Sequence, residues 1–160
     1  MDLDKVLRMS LSPRALRERV AQKLTTSLGA RGWHESRYIY HMFPATQDGH
    51  DRLHLSFAVG ILGDTSPLPA ERNRTAKGIQ GHTTIAIKWA HLIRADGQLQ
   101  DYDAALDREV DLVGAVYGTG RDPDMILHWG GVSLHSMSAD GTHFIGETRF
   151  VASHGYPLEP

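Results

Sequence analysis

The sequence predicts an α+β fold: a mainly antiparallel sheet with two helices packed on one face and a long loop insertion. Three observations predict it. Apolar residues recur at helical spacing in two separate segments, and they alternate with polar residues in the segments between and after them. About twenty polar residues, Leu62 to Gly81, interrupt the strands, and compact domains rarely carry so long a stretch unless it binds, lids or interlocks with something. At 160 residues the chain suits a single domain, 1–160, with a core of useful size.

The first helix opens at Ser12-Pro13, an N-cap followed by a proline whose missing N–H costs nothing in the first turn. Leu16, Val20 and Leu24 form its stripe, Arg14, Arg17, Arg19 and Lys23 lie mostly off it, and Gly29 or Gly32 ends it. Trp33 to Phe43 reads as a strand stopped by Pro44. From Leu53 to Ile61 the alternation is strict, which predicts a strand with one buried face. Strand periodicity resumes at Thr83, with Ile85, Ile87, Trp89 and Ile93 on one face, and Ala95 to Gln98 signals a turn. A second helix, capped by Asp101 or Asp103, carries the stripe Leu106, Val110, Val113 and Tyr117 until Gly118 to Pro123 breaks it. Two closing strands, Met125 to Met137 and His143 to Ser153, are joined by the hairpin signal Ala139-Asp140-Gly141-Thr142.

Composition narrows the function classes. Hydrophobic content of 41% and charged content of 22% are ordinary for a globular chain, and a net charge of −2 excludes a globally basic nucleic-acid binder. The absence of cysteine excludes disulfides and cysteine-based zinc sites. No apolar run approaches the length of a membrane span, and Met-Asp-Leu-Asp-Lys lacks the apolar core of a signal peptide, so neither a membrane nor export is expected.

The chemical signals are sparse. Of ten histidines, His34, His41, His50 and His54 cluster with Glu35, Asp48 and Asp51, but at no recognised metal spacing, so no metal and no cofactor are expected. His54-Leu55-Ser56 and His82-Thr83-Thr84 resemble the paired motifs of the two-histidine phosphoesterases, whose imidazoles face each other across a phosphate as base and acid. Here the motifs sit 28 residues apart without an internal repeat, and His54 occupies the polar face of its strand as a surface histidine would. No serine sits in a nucleophile elbow. Gly118-Thr119-Gly120 and Gly130-Gly131 read as turns and a strand bulge. Asp103, Asp107 and Asp111 share one stripe of the second helix, as a solvated face or a subunit contact. Arg72, Arg74 and Lys77 in the long loop are either solvated charges or contacts to an acidic neighbour or nucleic acid; repeated around a ring they would line a pore with positive charge.

The order of elements, together with the strand Leu53 to Val59, the long strand Thr83 to Ile93 running into a helix, and the closing Glu147 to Val151 with Tyr156-Pro157-Leu158, resembles the tail terminator proteins of long-tailed phages and related contractile particles. The likeness spans Pro13 to Leu158 and rests on element order and strand flavour. It implies a structural protein without enzymatic activity. Six copies would form a ring that caps the tail tube, stops its polymerisation and offers the docking surface for the connector or neck, with DNA passing through its lumen. The ring would be assembled in the host cytoplasm and reside in the virion. Arg72, Arg74, Lys77, Asp103, Asp107 and Asp111 are then the candidates for interface or lumen contacts. Another neck or head–tail joining protein would share the same physics, and a phosphoesterase is the enzymatic alternative.

Overall fold

The computed structural model describes residues 10–36, 53–62, 66–67, 74–75, 78–118 and 122–156. Helix α1 (Pro13–Leu28) starts where the cap residues place it: the Ser12 hydroxyl accepts from the Ala15 N–H at 3.2 Å, with Pro13 in the first turn. Its predicted stripe is buried, Ala21 and Leu28 included. The helix tightens into a 3-10 turn at Gly29–Arg31, and Gly32 closes it at φ +87°, a conformation open to glycine without penalty. Both predicted stop residues therefore act in sequence.

Among the described residues a seven-stranded sheet carries the rest. The strands are β1 (His34–Glu35), β2 (Ser56–Ile61), β3 (Ser66–Pro67), β4 (Arg74–Thr75), β5 (Gly78–Leu92), β6 (Met125–Met137) and β7 (His143–Tyr156). Its order is β1-β2-β5-β7-β6, with β3 and β4 also paired to β5, and every pairing except the parallel β1–β2 is antiparallel. Helix α2 (Gln98–Gly118) connects β5 to β6 and packs with α1 over one sheet face, as an α+β reading requires. On that face Phe57, Val59, Ile85, Ile87, Trp89, Phe144 and Phe150 meet Leu16, Val20, Leu24, Leu112 and Val116 in one core.

Four expectations need correction. The long loop is not structureless throughout: 66–67 and 74–75 pair with β5, which begins at Gly78 because Ile79 to Gly81 find partners in the last residues of β7. Non-local hydrogen bonding extends a strand beyond its own apolar pattern. The strand predicted from Leu53 begins at Ser56, since Leu53 to Leu55 form a turn in which Leu55 takes φ +56°, and the far face of β2 is covered too, with Ser56 and Ala58 buried beside Phe57 and Val59. Third, α2 is rotated about its axis. Its core contacts are Ala105, Leu112, Ala115 and Val116; Leu106 and Val113 are half-buried, while Val110 is 71% exposed. Two alanines let the helix approach α1 and the sheet closely, which turns the larger predicted stripe outward. Finally, the helix starts at Gln98, so neither Asp101 nor Asp103 caps it; Asp101 lies buried inside the first turn. Of the first predicted strand, only His34–Glu35 is seen as strand, and 37–43 lie outside the described residues.

The closing hairpin forms as expected. Gly141 sits at φ +71°, and the Asp140 carboxylate accepts from the Ser138 hydroxyl and from both the backbone N–H and hydroxyl of Thr142. The predicted bulge also forms, as a register shift between Trp129 and Val132 with Gly131 at φ +69°. Gly118 ends α2, and 119–121 lie outside the described residues.

Candidate functional site

The surface left uncovered lies along the margin between α2 and β6. The helix runs antiparallel to the strand: the Tyr117 hydroxyl accepts from the Trp129 backbone N–H, Glu109 faces His135 at 3.3 Å, and the Tyr102 ring stands 5.7 Å from Phe144, the register partner of Met137. In register with Phe150 and Phe144, Trp129 and Met137 lie on the helix-bearing face, where no further strand follows among the described residues. Tyr102, Val110, Tyr117, Trp129 and Met137 are each between 43% and 71% exposed. The predicted stripe of α2 is thus only partly covered within the chain. Exposed apolar residues gathered on one side of a fold mark candidate interaction sites, and tyrosine, tryptophan and methionine are the types enriched in them.

The predicted interface residues fare unevenly. Asp103 and Asp107 are exposed on α2. Asp111 is not part of a free acidic run: it pairs with Arg31 at 3.1 Å and with Arg108 at 3.2 Å. The acidic second helix is thus tied to the turn after α1 within one chain. Arg19 of α1 donates to Asp122 and to the buried Asp124, beyond α2, and its pKa is raised above all by the hydrogen bond it gives Asp124. Arg74 lies in β4, its backbone opposite Ile79, while Arg72 and Lys77 fall outside the described residues.

The two histidines of the phosphoesterase-like motifs are not brought together. His82 Nδ1 meets the Ser153 hydroxyl at 2.9 Å, on the sheet face away from the helices. His54 accepts at Nδ1 from the Leu92 N–H at 3.0 Å, at the other end of β5 and about 30 Å away by the rise of a strand. Its neighbour is His91, with ring centroids 4.6 Å apart in an edge-on arrangement. Burial lowers the pKa of both, that of His91 to about 4, with Arg108 opposing protonation of each. His91 went unread in the sequence although it stands two residues beyond Trp89, in phase with the buried face of β5. Beside the pair, Arg94 holds Asp101 well below the usual carboxylate range through side-chain and backbone hydrogen bonds. Of the clustered histidines, His34 is exposed in β1, and His41 and His50 lie outside the described residues.

Among the described residues no helix is long and apolar enough to cross a membrane. The chain matches no protein-family model and no curated protein.

Proposed function

We propose that this protein is a structural assembly protein of the tail terminator type, acting as a ring of identical subunits that caps a tube and offers a docking surface to the next component of the particle. The observation that carries this reading is the partly covered stripe of α2 beside β6, where Val110 and Trp129 project apolar surface that the protomer does not use. A ring needs a heterologous contact in which this surface meets a different patch on the neighbour, because a self-complementary contact would stop at a dimer. β6 supports the same reading. Among the described residues it is a long strand paired on one side only, with a bulge in it, and such edges are covered or paired in stable particles.

The test is the solution mass of the protein and of Val110→Glu combined with Trp129→Glu. Both positions are exposed, so the doubly substituted protomer should keep the wild-type circular dichroism and melting temperature within the small range of surface changes. The wild type should run near six times 17.7 kDa and the variant as a single subunit. A wild type that stays monomeric moves the contact to the tube end, and the two substitutions must then abolish retention on tail tubes. An assembly, on or off the tube, that tolerates both carboxylates sinks the proposal.

A further inference from the structure

A cleft of about 430 Å3 opens where the end of β5 meets the first turns of α2, lined by His54, His91, Leu92, Arg94, Asp101 and Arg108 among others. It lies outside the apolar margin just described and plays no part in the ring reading. Its donors are unevenly employed. Arg94 is committed: its backbone N–H and Nε reach one oxygen of Asp101, and Nη2 reaches the other at 2.8 Å. Arg108 gives Nη1 to Asp111 but keeps a buried Nε with no hydrogen-bond partner. His91 is 95% buried in the sense that only 5% of it is exposed, and its Nδ1 has no hydrogen-bond partner either. Because His54 Nδ1 accepts from Leu92, neutral His54 carries its proton on Nε2, a further donor.

Unpaired polar nitrogens at such depth are costly unless a partner arrives. The charges say which partner. Arg94 and Asp101 cancel, Asp111 is divided between Arg31 and Arg108, and the cleft is left with an excess of guanidinium over carboxylate. A cation is disfavoured by that balance, and among the described residues no three His, Asp or Glu side chains gather into a metal-binding set. An oxyanion suits that balance, with the Arg108 guanidinium and His54 Nε2 as the donors on the cleft wall. A phosphate monoester suits the site better than sulfate, because its second ionisation lies near pH 6 and its monoanion can offer a proton to an imidazole nitrogen. The volume exceeds what a phosphoryl group fills and falls in the range of small-molecule sites, with Leu92 forming apolar wall for an organic remainder.

We infer that this cleft binds a phosphate monoester, with Arg108 and His54 as donors to the phosphoryl oxygens and His91 Nδ1 as the partner of its remaining proton. The turn at Leu55 builds the site, because its left-handed backbone swings His54 over the end of β5, where Leu92 fixes the ring. Leucine adopts that conformation at a cost, and backbone strain of this kind collects at binding sites.

Calorimetric titration of the intact protein with inorganic phosphate and with a nucleoside 5′-monophosphate, at constant ionic strength, tests it. One site per chain with a dissociation constant at or below about 1 mM is expected for at least one probe. Tighter binding of the monoester assigns the cleft to an esterified ligand; equal binding assigns it to free phosphate. Arg108→Gln, at a partly exposed position that should not perturb folding, should weaken binding at least about tenfold, a loss of one charge-assisted hydrogen bond. His91→Leu, its folding checked by circular dichroism, should weaken it as well. Heat that never saturates with either probe, or an affinity untouched by Arg108→Gln, overturns the assignment.

Discussion

Gly146→Ala should destabilise the protein by about 3 kcal/mol or more, at the upper end of what overpacking costs. Backbone conformation is not the reason, since Gly146 lies in regular β7 opposite Trp89 of β5. The reason is space: a Cβ at this position would fall inside the Trp89 indole, meeting Cε2, Cζ2 and Nε1 together. The indole cannot step aside. It is fully buried, with the Trp33 ring centroid 6.3 Å away on one side and Phe144 5.5 Å away on another. The glycine and the tryptophan are therefore one unit, a large ring lying across a residue without a side chain. Their coupling gives the test. Trp89→Ala alone should cost about 3–5 kcal/mol through the cavity it leaves. In that background Gly146→Ala should cost little, because the space it needs is vacant. Urea unfolding of the two single variants and the double variant measures this directly. A Gly146→Ala midpoint equal to the wild type, or costs that simply add, would show that the indole has room to move.

The same pair shows what a sequence reveals and what it withholds. Period two placed Ile85, Ile87 and Trp89 on one face of a strand, and they are fully buried there. Nothing in the chain says that Gly146 is opposite Trp89, because register across 57 positions is decided by the fold and not by local pattern. The cap at Ser12, the stripe of α1, the bulge glycines and the Asp140-Gly141 hairpin were legible because each rests on chemistry within a few residues. The rotation of α2 was not. Apolar periodicity reports which residues are sticky, and Leu106, Val110, Val113 and Tyr117 are; which of them the fold covers depends on how closely Ala105 and Ala115 allow the helix to approach. The histidine cleft was half legible. His91 is in phase with the buried face, so its burial could be read, but its meeting with His54 depends on the left-handed turn at Leu55, which no leucine advertises. The acidic stripe was legible in part: Asp103 and Asp107 are exposed, while Arg31 reaches Asp111 from the turn after α1.

Stability should fall as the pH drops from about 6.5 toward 4, a decline that begins before the carboxylates protonate. Burial lowers His91 from its ordinary 6.5 to about 4, and it lowers His54 and His154 as well. The unfolded chain takes up protons on these imidazoles near pH 6.5, while the folded chain refuses them until lower pH. Acid therefore favours unfolding: the stabilisation is complete above pH 6.5 and is lost as the pH falls through the window. For His91 alone the difference amounts to about 3 kcal/mol across the full interval. The charges around it act in both directions. Arg108, His54 and His143 oppose its protonation, while Asp101 favours it, but Asp101 is already engaged by Arg94 and cannot relieve the burial. Urea midpoints at pH 7.5, 6, 5 and 4.5 should decline steadily in the wild type. His91→Leu removes the largest of these groups and should flatten the decline even if it lowers stability at pH 7.5, so the slope and not the midpoint carries the result. A wild-type midpoint constant from pH 7.5 to 5 would mean that the imidazoles protonate freely in the folded state, and the pair would then be hydrated where the structure has it buried.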